Sequence, residues 1–294
     1  MLLPQNLGWH PEQFIISNGG DELITLVSEA FLEPGDEIIV PAPTFSEYEF
    51  GAHLMGANIV TVPLGESYAF DLDAIVNAVT ERTKMLCICS PNNPTGTYLS
   101  KSVLHHLLGI LPKHILVLFD AAYSQYATAD DYTNGLEFVR AGYPIVVLQT
   151  FSKIYGLAGL RVGFGTAPES IIQHILKVKE PFNVNALAQA AAAAALHDDE
   201  HVRLSLEVNM QGKTQLYRSF RDLRLPFIES MSNFVLVDLG SGAKSVYEQL
   251  LTKGIIVRFG GIWNLPHHIR VSVGKEEENS VFVHELTEIL HHHL

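Results

Sequence analysis

The sequence predicts an α/β protein: a mostly parallel central sheet in a large domain, residues 1–199, followed by a smaller α+β C-terminal domain, residues 200–294. Two observations carry this. Three continuous apolar runs, "KMLCICSP", "HILVLFDAAY" and "PIVVLQTFSK", alternate with stretches of helical period. Strands that are apolar on both faces belong inside a sheet covered by helices on both sides, and helical crossovers make such strands parallel. After about Asp199 the pattern changes, and a long polar helix leads into a separate set of strands.

The elements follow in order. "FIISNGGDELITLVSEAFLEPGDEIIV" reads as strand, glycine turn, helix, turn and strand. The helix from about Asp21 to Phe31 spaces Leu23, Leu26, Val27 and Ala30 on one face, and Pro34-Gly35-Asp36 ends it. "EIIVPAP" is a strand, "TFSEYEFGAHLMG" a helix and "NIVTVPL" a strand. "DLDAIVNAVTERT" is an amphipathic helix with Asp71 as its cap. The helix around "KSVLHHLLGIL" separates the first two apolar strands, and "PIVVLQTFSK" is the third. "NALAQAAAAAAL" is strongly helical, and its small residues suit either close packing at a subunit interface or an ordinary buried helix. The C-terminal domain reads as the helix "EHVRLSLEVNMQGKTQLYRSFRDL", the strand "NFVLVDL", the helix "GAKSVYEQLLTKG", and the strands "GIIVRF" and "HIRVSVG".

Composition narrows the function. The chain has 294 residues, 47% hydrophobic, enough for a sizeable core. Its 19 Lys and Arg against 32 Asp and Glu give a net charge of −13, which disfavours a nucleic-acid partner. No apolar run approaches the roughly 20 residues of a membrane span. "MLLPQNLGWHPEQ" has no basic start and is broken by two prolines, unlike a secretory leader. Cys87 and Cys89 share one strand face, which suits buried thiols rather than a disulfide or zinc knuckle and agrees with a cytoplasmic location. The 14 histidines include the adjacent pairs His105-His106 and His267-His268, whose rings point apart; no metal is expected.

In open parallel sheets, ligands bind beyond the carboxyl ends of the strands. Four polar features fall there: Gly19-Gly20-Asp21, Asn93, Asp120 with Tyr123, and Ser152-Lys153. Each alone reads as a turn or a cap; four at one rim read as a site. "LQTFSKIYGLAGLRVGFG" places Lys153 after an apolar strand, with Arg161 eight residues on. Two readings are open: solvated loop charges, or a lysine held for covalent chemistry and an arginine held for an anion.

"SPNNPTG" (90–96), "FDAAY" (119–123) and "TFSKIYGLAGLRVG" (150–163) resemble the successive signatures of the class I/II aminotransferases, fold-type-I enzymes that use pyridoxal 5′-phosphate. Within that family the chain is most similar to the histidinol-phosphate aminotransferases, whose substrate arginine segments "GIIVRFGGIW" and "HIRVSVG" resemble. The resemblance implies roles. Lys153 attaches to the cofactor aldehyde and, once released, moves a proton at the substrate α-carbon. Asp120 pairs with the pyridine nitrogen, Asn93 and Tyr123 hydrogen-bond the phenolic oxygen, and Phe45 stacks on the ring, or else is a core aromatic. The backbone N–H groups of Gly20 and Asp21, the Ser152 hydroxyl and the Arg161 guanidinium hold the cofactor phosphate, while the Asp21 side chain caps the helix. Arg270 binds the substrate α-carboxylate and Arg258 the phosphate of histidinol phosphate. Structural salt bridges are the alternative for both, since each arginine lies in an apolar strand where an unpaired charge is costly.

The implied reaction moves an amino group from L-histidinol phosphate to 2-oxoglutarate, in a homodimer. Aromatic-amino-acid transamination and phosphothreonine decarboxylation are rival chemistries. A cofactor-binding regulatory module and a catalytically silent relative kept for dimerisation are rivals of another class, though no basic helix-turn-helix accompanies these residues. Two departures stand out. Family members carry a further N-terminal segment with an arm that crosses to the partner and a tyrosine that reaches the neighbour's cofactor phosphate; here the match opens at "PEQFIISNGGDEL", so weaker cofactor binding is expected. Ala121 stands where relatives commonly have glutamate, which implies altered polarity on the substrate side.

Overall fold

The computed structural model describes residues 9–291. Among them, seven strands form one sheet: β1 (Phe14–Ser17), β2 (Glu37–Ala42), β3 (Asn58–Pro63), β4 (Thr83–Cys89), β5 (Leu116–Asp120), β6 (Ile145–Thr150) and β7 (Gly163–Thr166). Their order is β1-β7-β6-β5-β4-β2-β3. Strands β3, β2, β4, β5 and β6 pair in parallel, and β7 runs antiparallel between β6 and β1. The sequence reading did not assign β7. Its four residues, "GFGT", are half glycine and have no alternating pattern to betray them.

Alternation along the strands builds two cores. Cys87, Leu118 and Val146 face one side with α1 (Gly20–Phe31), α2 (Glu47–Met55) and α6 (Glu169–Ile175). Leu86, Val117 and Val147 face the other with α3 (Leu72–Asn77), α4 (Lys101–Ile110) and α5 (Leu136–Arg140). Both cysteines are free and buried in the first core, as their spacing predicts. The Asp71 carboxylate caps α3 by accepting from the Ala74 N–H at 2.9 Å, but the helix stops at Asn77, shorter than its amphipathic pattern. The alanine-rich α7 (Ala186–Ala195), capped by Asn185, lies largely at the surface, burying only Ala188 and Ala192.

α8 (Asp199–Asp222) begins where the composition changes. Its first half packs Val202 and Leu206 on the first core; its second half buries Leu216 and Phe220 in a separate one. That second unit is an antiparallel sheet of order β10-β11-β9-β8, made of β8 (Phe227–Ile228), β9 (Phe234–Asp238), β10 (Arg258–Phe259) and β11 (His268–Ser272). It is covered by α9 (Ala243–Thr252) and α10 (Glu276–His291). β10 is two residues long, not the six of "GIIVRF", because Ile256 is exposed and does not pair. No helix of the described residues is long and apolar enough to cross a membrane.

Candidate active site

The carboxyl ends of β1, β2, β4, β5 and β6 open onto one cleft of about 350 Å3, closed on its far side by β10 and β11. Every residue given a cofactor or substrate role from the sequence lines it. Gly20 and Asp21 come from the start of α1, Phe45 from the turn after β2, and Asn93 from the turn after β4. Asp120 and Tyr123 end β5; Ser152, Lys153 and Arg161 follow β6; Arg258 and Arg270 reach in from the small unit.

Asp120 is 4% exposed. Its Oδ1 accepts from the Ala122 N–H at 2.9 Å and its Oδ2 from the Tyr48 hydroxyl at 2.7 Å. Burial raises its pKa, while those two donors and Lys153 pull it back. Lys153 Nζ sits 5.1 Å from the centre of the Tyr123 ring. Burial lowers its pKa against the attraction of Asp120, so it loses its proton more readily than an exposed lysine. The loop that carries it is clamped by α8: the His201 Nε2–H donates to the Ile154 carbonyl at 2.8 Å.

The cation–anion geometry is equally local. Arg161 takes a left-handed backbone (φ 57°), strained for a side chain that large. Its guanidinium donates to the Ala158 carbonyl at 3.0 Å and the Ser152 hydroxyl at 3.5 Å, and pairs with Asp21 Oδ2 at 3.1 Å. A Cβ on Gly19 would lie 2.5 Å from that guanidinium; with φ at 90°, only glycine lets the arginine approach the start of α1. The Asp21 side chain therefore does not cap the helix as expected. No side chain caps α1, and the nearby guanidinium claims this carboxylate instead.

Asn93 accepts from Arg270 Nη1. The guanidinium of Arg270 lies 4.7 Å from the Phe234 ring and 5.2 Å from the Trp263 ring, and its buried Nε has no hydrogen-bond partner among the described residues. Burial lowers its pKa, and Arg258 adds repulsion. Arg258 is exposed, so the burial cost argued from its sequence surroundings applies to Arg270 alone. The two arginines are direct partners in the β10–β11 register, and among the described residues neither forms an ion pair, which removes the salt-bridge alternative. Ala121 is another correction. It is fully buried in the second core, on the side of the sheet away from the cleft, so it sets no polarity on the substrate side.

Sequence reasoning missed three contributors. Tyr48 lies in an ordinary amphipathic helix and gives no local signal of its bond to Asp120. Trp263 ends the quoted "GIIVRFGGIW" and was read only as part of it. Asn92 positions its neighbour: its amide donates to the Pro43 carbonyl at 3.0 Å and to Thr95 Oγ1 at 2.9 Å, fastening the turn after β4 to the end of β2.

The donor set fits the cofactor that the resemblance implies. A buried carboxylate faces a half-buried amine with no hydrogen-bond or ion-pair partner among the described residues, and an arginine, a serine and an uncapped helix start gather where a phosphate would need them. Among the described residues, no group of three or more His, Cys, Asp or Glu side chains could hold a metal ion.

Comparison with known proteins agrees. The sequence profile of the family described as aminotransferase class I and II matches residues 5–286. The chain is 47% identical over 289 residues to the histidinol-phosphate aminotransferase of Moorella thermoacetica, spanning 98% of this chain and 75% of that protein. It is 41% identical over 290 residues to that of Caldicellulosiruptor saccharolyticus, spanning 99% and 81%. Among solved structures, the histidinol-phosphate aminotransferase from Sinorhizobium meliloti in complex with pyridoxal-5′-phosphate matches with a TM-score of 0.91 at 26% identity, covering 98% of this chain and 79% of that one.

Proposed function

The chain belongs to the class I and II aminotransferases and is a pyridoxal-phosphate-dependent transaminase, and from that premise we propose that it moves the amino group of L-histidinol phosphate to 2-oxoglutarate, a step of histidine biosynthesis. Bound in the cleft, pyridoxal 5′-phosphate supplies an electron sink and carries the amino group between the two substrates. The chain's own residues do the rest. Asp120 keeps the proton on the pyridine nitrogen. Asn93 and Tyr123 orient the phenolic oxygen, and Phe45 covers the ring. Ser152, Arg161 and the Gly20 and Asp21 N–H groups hold the phosphate. Lys153 anchors the cofactor and then moves the proton at the donor's α-carbon.

One observation carries the choice of substrate: Arg258 and Arg270 stand side by side across β10 and β11, and neither is paired with a carboxylate among the described residues. Like charges in direct register repel, so the pair calls for an anion. L-Histidinol phosphate brings a phosphate and no carboxylate, whereas 2-oxoglutarate brings two carboxylates. Arg270, stacked and half-buried, suits the group nearest the reacting carbon. Arg258, exposed at the rim, adds the second charge that a phosphate dianion needs. The test is spectroscopic. Protein loaded with cofactor is mixed with one amino donor at a time, and loss of the visible band of the lysine-bound form is followed. Histidinol phosphate should discharge the band at far lower concentration than phenylalanine. Equal response to both would favour the aromatic-amino-acid reading.

We also infer a homodimer. Phe182 is 99% exposed and Leu187 is 76% exposed, beside the alanine face of α7 and a cavity of about 480 Å3 that reaches Phe151 and Phe164. A contiguous apolar face of this kind suits a second copy. The two free cysteines suit a reducing, cytoplasmic setting.

A further inference from the structure

We propose that Tyr48 is a positioning residue that holds the Asp120 carboxylate in its anionic form and fixes its plane toward the cleft. The inference rests on the reading of Asp120 as the carboxylate that faces the cofactor. Tyr48 is 1% exposed and comes from α2, none of whose residues lines the cleft itself, so it acts from behind the cleft wall. It touches the site twice. Its hydroxyl donates to Asp120 Oδ2 at 2.7 Å, and its ring meets that of Phe45 edge-on at 5.9 Å.

The electrostatic problem is specific. A carboxylate this deeply buried tends to take up a proton, and a protonated Asp120 could not hold a positive charge on its partner. The titratable groups that face it are Tyr48 on α2, Cys87 and Cys89 on β4, Tyr123 and Tyr132 after β5, Lys153 after β6 and Asp21 on α1. Burial pushes both thiols and all three phenols up, so these five groups stay neutral. Asp21 repels the carboxylate and is itself paired with Arg161. Lys153 attracts it, but that amine would be tied up once it held a cofactor. What stays in place is two hydrogen bonds, from the Ala122 N–H and from Tyr48. The first belongs to the backbone turn that ends β5. The second is the only side-chain donor to Asp120 among the described residues, and with one donor on each oxygen the carboxylate plane is set.

The experiment is a carbon-13 titration of aspartate-labelled, cofactor-free full chain, with the Asp120 signal identified by its loss in Asp120→Asn. Tyr48→Phe keeps the ring and removes the donor. A charge-assisted bond of this kind corresponds to about one to two pKa units, so Asp120 should titrate that much higher in the variant. In the loaded enzyme the acid limb of kcat should move to higher pH by a similar amount, with KM little changed. A ring-fluorinated tyrosine at position 48, a stronger donor, should move Asp120 the opposite way, and it carries the test if Tyr48→Phe does not fold. An Asp120 titration unchanged by removal of the hydroxyl, or by the fluorinated ring where the phenylalanine variant does not fold, overturns the proposal and leaves Tyr48 as core packing. Because the titration needs no cofactor, its outcome is separate from the reading of Asp120 as the cofactor's partner, which the loaded-enzyme pH profile tests.

Discussion

At the scale of single residues, the proposed chemistry turns on a buried carboxylate, Asp120, and a half-buried amine, Lys153. Lys153 is held in a half-buried loop, and burial outweighs the pull of Asp120, so its pKa is lowered. The sign is testable in the cofactor-free chain. Competitive acylation over a pH series should find Lys153 half-reactive at lower pH than the exposed lysines. Asp120→Asn should lower it further, since the attraction opposing burial is gone. Lys153→Ala should abolish the borohydride-reducible attachment of pyridoxal phosphate; a lysine adduct persisting at the wild-type level would mean that another amine does this work. Asp120→Asn should also retain some cofactor while turnover falls by about two decades or more, roughly 3 kcal/mol in the barrier. Steady-state rates near wild type would reduce Asp120 to a structural cap of the β5 turn.

At the scale of elements, the site is a junction between two sheets. β10 and β11 bring Arg258 and Arg270 into register, and the turn after β4 ties Asn93 to Arg270. Arg258→Ala should cost histidinol phosphate about 2–4 kcal/mol in kcat/KM if the bound phosphate is desolvated, and phenylalanine little. Equal losses would make Arg258 a structural residue. Gly96 marks the other contact of that turn. Its φ is 74°, its carbonyl accepts from the Met231 N–H at 2.8 Å, and a methyl there would come within 2.9 Å of the Ser230 Cα. Gly96→Ala should destabilise the chain by about 2 kcal/mol or more, read by calorimetry as a Tm lowered by on the order of 5 °C. An unchanged Tm would show that the 230–232 segment yields at no cost.

At the scale of the whole molecule, α8 joins the two cores and also clamps the Lys153 loop through His201, so the small unit and that loop share one element. The division expected after residue 199 falls at the first residue of this helix. On the outer surface, Phe182→Asp with Leu187→Asp should split the inferred dimer. Sedimentation should find its dissociation constant raised by at least about a hundredfold, the usual consequence of losing central apolar anchors. A monomeric wild type would remove the need for a partner on this face.

The alternation of apolar runs determined the large sheet, because a strand buried on both faces must be apolar at every position whatever its neighbours are. The polar residues at the ends of those runs were legible for the same reason: they are the points where the chain leaves the core. Thus Asn93, Asp120, Tyr123 and Lys153 could be placed at one rim before any contact was known. The rest depends on pairs distant in sequence. β7 shows no pattern in "GFGT" and exists because β1 and β6 supply edges on both sides. Tyr48 meets Asp120 across 72 positions, and Arg270 meets Asn93 across 177. Asp21 was expected to cap a helix and instead pairs with Arg161, 140 positions away. Local periodicity records which face of an element is buried, whereas the partner of a polar group is chosen by how separate elements pack, and only the tertiary structure decides that.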